Sequence, residues 1–157
     1  LSHFKGHMMG GFGGAIKNIS IGIASTEGKC LIHTGGKSNT SPWGGDSPTF
    51  MDSMAEAGKS VVDALDGNIL FISVMNNLSV DCDCTARPSA PDIHDIGILA
   101  STDPVALDQA CVDLIYQSEG AESMIRRIEG VGGEDTLEHG EEIGLGNRAY
   151  KLVVVNE

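Results

Sequence analysis

Apolar positions along the chain fall into short runs whose period switches, and the switches lay out alternating strands and helices. Ile19-Ser-Ile-Gly-Ile23 alternates with period two, which predicts a strand, with a helix from Ala15 as its competitor. Ile69-Leu-Phe-Ile-Ser-Val74 and Ile96-Gly-Ile-Leu-Ala100 are nearly continuous apolar runs, the pattern of buried strands. Tyr150-Lys-Leu-Val-Val-Val155 predicts a closing strand. Met51, Met54, Ala55, Val61, Val62 and Leu65 share one face of a helix over residues 49–65. Ser47 is its expected cap, Pro48 sits in its first turn, and Asp66-Gly67 ends it. Asp103-Pro104 opens a second long helix reaching Gln117, with Leu107, Cys111, Leu114 and Ile115 on its apolar stripe. Shorter helices are expected over residues 121–129 and 136–143. Residues 10–18 read as a glycine loop leading into a short element, and residues 34–47 and 76–95 as polar connections. Strands joined by helices predict one α/β domain over residues 1–157, its parallel or mixed sheet carrying helices on its faces.

Composition narrows the picture. Aromatic residues make up only 4% of the 157 positions, so Ile, Val, Leu, Ala and Met must build the core. A chain of this length buries roughly 70% of its unfolded surface. The 21 glycines, many of them clustered, imply several tight turns. A net charge of −12, with 10 Lys and Arg against 22 Asp and Glu, leaves no cationic face to displace phosphate counterions. Nucleic acid is therefore not an expected partner, and the acidity speaks to solubility. No apolar run approaches the roughly 18 residues of a membrane span, and no signal peptide is visible, so a cytoplasmic protein is expected. The chain opens on Leu1 inside a dense motif, which suggests a piece of a longer architecture. Cys30, Cys82, Cys84 and Cys111 are too few and too irregular for a disulfide framework, and reduced thiols are expected. Cys30, beside Leu31-Ile32, and Cys111, on the helix stripe, belong in the core.

The candidate chemistry gathers in the first 33 residues and in one later loop. Cys82-Asp-Cys84 follows a predicted strand, and its two thiolates can serve one zinc or iron ion. Asp81 and Asp83 flank it with oxygen donors, and further ligands must come from elsewhere. The competing reading is a pair of unligated loop cysteines. His3 and His7 share one face if helical and can still converge on a strand or loop. The Glu of the metalloprotease motif is absent between them, and two surface histidines are an equal reading. His33 could join them, whereas His94 and His139 are expected on the surface. The turn Gly10-Gly-Phe-Gly-Gly14 with Lys17-Asn18 offers either a tight structural turn or a cradle for an anionic or carbonyl group, with Gly13, Gly14, Lys17 and Asn18 as its contacts. It lacks the preceding strand and glycine spacing of the dinucleotide fingerprint. Asp103 reads mainly as a helix cap and secondarily as a partner in the site. Ligands of α/β domains collect at strand C-termini, so the histidines and the Cys-x-Cys loop are expected at one end of the sheet.

The ordered set His3-Phe-Lys-Gly-His7, Gly11-Phe-Gly-Gly-Ala-Ile-Lys-Asn18, Gly28-Lys29, His33, Cys82-Asp-Cys84, Asp95-Ile-Gly-Ile-Leu-Ala-Ser101, Asp103-Pro-Val-Ala-Leu-Asp-Gln-Ala110 and Glu142-Ile-Gly-Leu-Gly146 resembles the domain of unknown function 362 group. Members of that group are often labelled iron–sulfur centre proteins. The resemblance implies an α/β domain, redox-linked, with a transition metal or iron–sulfur cluster as cofactor. It also implies a ferredoxin-like insert with clustered cysteines. This chain departs from the group there, because it has no C-x₂-C-x₂-C-x₃-C run. The expected function is a metal- or small-ligand-binding domain. In it His3, His7 and His33 act as ligands or proton carriers, and Cys82 and Cys84 as a thiolate arm. The alternatives are a partner domain that docks a ferredoxin-type module, and a purely structural metal site.

Overall fold

A computed structural model describes residues 1–155. Strand β1 (Ser2–His3) runs parallel to β4 (Phe71–Met75), which pairs antiparallel with β5 (Gly97–Ser101), so the sheet is mixed in the order β1-β4-β5. β2 (Lys5–His7) and β3 (Gly11–Gly13) form a separate antiparallel hairpin. The first strands are short because backbone bonds alternate between neighbours. The Phe4 N–H donates to the Val74 carbonyl at 2.9 Å, and the Gly6 N–H to the Ser79 carbonyl at 2.8 Å. One segment is thereby sewn both to the sheet and to the loop that follows β4.

After the hairpin come α1 (Ala15–Lys17) and a π-helical turn (Asn18–Gly22). The strand expected over residues 19–23 is thus helical, and the competing helix from Ala15 prevails. The reason is long-range: Asp108, brought in by another helix, accepts the Ala15 and Ile16 N–H groups and starts the turn. Helix α2 (Thr26–Thr34) follows, capped by Ser25 and closed by left-handed Gly35. His33 therefore lies in the last turn of a helix and does not follow a strand.

Helix α3 (Ser47–Ala64) buries Met51, Met54 and Ala55 of the apolar stripe, but Leu65 falls just past its end and is exposed. Its cap is Asp46, which accepts the Thr49 N–H at 2.9 Å, and not Ser47. Helix α4 (Pro104–Tyr116) starts at the Asp103 cap as expected and packs on β4 and β5. Helices α5 (Glu122–Val131) and α6 (Asp135–Glu142) lie within about two residues of their expected spans. The hairpin is held against α5, and α3 packs on α2 and α6.

Phe4, Ile16, Phe50, Met51, Met54, Met75, Leu78 and Ile115 are fully buried in one core. Each such side chain contributes roughly 1.5–3 kcal/mol of burial. Residues 150–155 form no strand: they run unpaired and exposed alongside β5. A strand needs a partner edge at hydrogen-bonding distance, and β propensity alone does not supply one. The Tyr150 hydroxyl instead donates to Asp113 at 2.7 Å, fixing the start of the segment on α4.

Candidate functional site

The loop after β4 carries Cys82 and Cys84 back toward the β2–β3 hairpin. One ring nitrogen of His7 and the two cysteine sulfurs all lie within 4.8 Å of one another. Cys82 is buried and Cys84 exposed, and neither is in a disulfide. The Cys84 N–H donates to the Cys82 sulfur at 3.2 Å, which folds the loop into a tight hook.

Three residues on two elements hold this hook. Gly6 on β2 meets the Val80 backbone so closely that any β-carbon there would overlap the Val80 carbonyl. Arg127 on α5 donates to the Val80 carbonyl and to Asp81, both at 3.2 Å. Lys5 on β2 forms an ion pair with Asp83. The carboxylates flanking the cysteines are thereby committed. Asp81 also accepts from the Ser89 hydroxyl and backbone, and these bonds hold its carboxyl below the usual range. The Lys5 hydrogen bond does the same for Asp83. Neither aspartate joins the His7 group.

His7 is buried, and burial lowers its pKa to about 3, with Lys17, His33, Arg127 and Lys5 adding repulsion. The ring is therefore neutral at physiological pH. Its Nδ1 accepts the Gly10 N–H at 3.0 Å, so the ring proton belongs on Nε2. A metal at Nε2 requires that proton to move to Nδ1, and a metal at Nδ1 displaces Gly10. Either route breaks the Gly10 bond. Burial also raises the Cys82 thiol, while the Lys17 charge pulls it down. A metal ion would have to release that proton on binding.

The remaining sequence candidates lie around this group. His3 sends Nε2 to the Asn76 carbonyl at 2.6 Å. The His33 ring stacks on Phe50 at 4.9 Å between centroids, with its Nδ1 against the Lys29 carbonyl. Asp103 accepts from Val105 and Ala106 with one oxygen and from Asn147 with the other, so it caps α4 and ties down the chain after α6. Gly13, Gly14, Lys17 and Asn18 line a small cleft with His3 and Lys5.

The cradle geometry of the glycine turn is present, and the protein fills it with its own Asp108 carboxyl group. The Ala15 and Ile16 N–H groups donate to the two oxygens of Asp108 at 2.7 and 2.9 Å. Gly14 is bare at the point of contact, because a β-carbon would overlap that carboxylate. The sequence carries only an indirect sign of this role for Asp108. The readable signal was an acid amid Val105, Ala106, Leu107, Ala110 and Cys111, a stretch otherwise fit for the core. Arg127 and Lys5 carried no comparable signal, since exposed basic residues occur anywhere.

The fold and this group define an α/β domain with a metal-capable His/Cys cluster between its N-terminal hairpin and the loop after β4. The family model described as Domain of unknown function (DUF362) matches residues 1–113, and the chain belongs to that family. Every element of the His7, Cys82 and Cys84 group lies inside the matched span, whereas Glu142-Ile-Gly-Leu-Gly146 lies outside it. No curated protein and no solved structure matches the chain. Among the described residues, no helix is long and apolar enough to cross a membrane.

Proposed function

We propose that the domain binds one zinc or iron ion through His7, Cys82 and Cys84, with a fourth position left for water or an exogenous ligand. The observation that carries this reading is the convergence of three soft or borderline donors within 4.8 Å, from segments about 75 residues apart. Tetrahedral zinc with nitrogen and sulfur ligands needs donor separations of roughly 3.5–3.8 Å, so closure asks for a movement of about 1 Å. Three protein ligands and an open position are the pattern of reactive rather than closed structural metal sites. Iron there would support redox chemistry, and zinc would act as a Lewis acid. Reduced thiols fit a cytoplasmic setting.

Metal content after reconstitution of the apo protein with zinc or ferrous iron tests this reading, with Cys84→Ser as the comparison because Cys84 is exposed and adds little packing. One equivalent in the parent, affinity at least tenfold lower in Cys84→Ser, and faster hydrogen exchange at the Gly10 amide on loading are expected. Equal metal content and affinity in both proteins would overturn it.

One observation favours a second reading, a partner domain that docks a ferredoxin-type module. β5 is an edge strand among the described residues, Ile98 on it is 71% exposed, and the apolar residues 152–155 stand open beside it. Chemical-shift changes confined to β5 and residues 150–155 on adding a bacterial-type ferredoxin would support it, and their absence would end it.

A further inference from the structure

The cleft beside the cysteine loop has a charge character opposite to that of the whole chain. It measures about 160 Å³ and is lined by His3, Lys5, Gly13, Gly14, Lys17 and Asn18 with small and apolar neighbours. The chain carries 22 acidic residues, yet none of them lines this cleft, while two of its ten Lys and Arg do. Chance placement in a protein of charge −12 would favour the reverse.

The two lysines differ in their commitments. Lys5 is paired with Asp83. Lys17 has no carboxylate within 4.0 Å of its ammonium among the described residues, although its stem is well placed: it crosses the bare Cα of Gly13, where a β-carbon would sit 3.2 Å from its Cδ. The Asn18 amide gives one N–H to the Leu1 carbonyl at 3.0 Å, and a second N–H remains on the same nitrogen. The Ala15 and Ile16 N–H groups do not serve this cleft, since Asp108 takes both.

We propose that this cleft binds a small oxyanion, a phosphate or a short carboxylate, held chiefly by the Lys17 ammonium with Asn18 and Lys5 beside it. Its volume is below the roughly 300–1,000 Å³ of sites for drug-sized ligands, so a nucleotide or a peptide does not fit. Lys5, which lines the cleft, is ion-paired with Asp83 between Cys82 and Cys84, so the cleft adjoins the cysteine loop. Under the metal reading above, the anion is the substrate or co-ligand of that same centre. The cleft itself exists without the metal, and it is tested without it.

The experiment titrates metal-free Cys82→Ser/Cys84→Ser protein with inorganic phosphate and, separately, with sodium succinate, at ionic strength matched by chloride. Amide shifts of Gly13, Gly14, Lys17 and Asn18 are followed by NMR. Saturable shifts at these positions with at least one probe are expected. Lys17→Gln on the same background should weaken that binding at least tenfold, and Lys17→Arg should stay within about threefold of the parent. The two titrations tell a phosphate site from a carboxylate site. No saturable shift with either probe, or equal binding in Lys17→Gln, would overturn the proposal. Failure of metal binding in the parent protein leaves these readouts unmoved, so the two readings fall separately.

Discussion

Asp108→Asn isolates the anchor that joins the glycine turn to α4. Asp108 is fully buried, and its two oxygens accept the Ala15 and Ile16 N–H groups at 2.7 and 2.9 Å. Burial pushes its carboxyl from 3.8 up to about 7, against the downward pull of those two donors. The folded state therefore holds a proton that the unfolded chain has lost between those values. A raised folded pKa gives stability that is complete below the unfolded pKa and is lost as pH rises through the folded one. At about 1.4 kcal/mol per pH unit, the gap amounts to about 4 kcal/mol, roughly 2 kcal/mol of it between pH 5.5 and 8. Asparagine cannot titrate. Its oxygen can accept one of the two N–H groups, and its NH₂ then faces the other donor, at a cost of about 1–3 kcal/mol. Urea unfolding followed by far-UV circular dichroism suits a chain whose one tryptophan, Trp43, is exposed. Working at pH 5.5 and above stays clear of the isoelectric point near 4.6. The parent should be more stable than Asp108→Asn at pH 5.5, and its advantage should shrink by about 2 kcal/mol by pH 8. An advantage that grows with pH would refute the reasoning. It would mean that the two N–H donors outweigh burial and hold the carboxylate ionised.

Gly6→Ala should push β2 away from the Val80 carbonyl, costing about 1–3 kcal/mol in urea unfolding and lowering zinc affinity more than Lys5→Ala does. Equal zinc affinity in Gly6→Ala and parent would show that the hook does not depend on that contact. Native thiol labelling of the apo protein should modify Cys84 quickly, and Cys82, Cys30 and Cys111 only on unfolding, because those three are buried. For Cys111, burial also pushes the thiol up to about 12, which removes the reactive thiolate. Mass-spectrometric mapping of early label on Cys82 would contradict the buried placement of that sulfur, which its position in a polar loop did not suggest.

The residue pattern by itself determined the elements whose signal is local. Helix α4 declared itself through the Asp103-Pro104 start and its apolar stripe, and α3 through Met51, Met54 and Ala55. The runs at 69–74 and 96–100 became β4 and β5 with ends displaced by one or two residues, because a strand's identity lies in its run and its ends depend on the partner. The burial expected of 96–100 fails, however: β5 is an edge strand among the described residues and Ile98 on it is exposed. The burial of Cys30 and Cys111 was equally local, since each sits among apolar neighbours. The ordered motifs were enough to place the chain in its family.

Tertiary structure decided whatever depended on a distant partner. Residues 19–23 alternate like a strand yet coil into a π-helical turn, because Asp108 supplies acceptors for the preceding N–H groups from more than 90 positions away. Residues 150–155 have the composition of a strand and remain unpaired, because they run beside the β5 edge with a cavity between them and make no ladder bonds to it. The spacing of His3 and His7 left both open as ligands. Only the pairing of β1 with β4 and of β2 with β3 sent His3 to the Asn76 carbonyl and His7 to the cysteines. A side chain's chemical type is written at its own position. Its neighbours are set by contacts between segments that periodicity does not encode, and here those contacts separate a metal-capable cluster from a scatter of histidines and thiols.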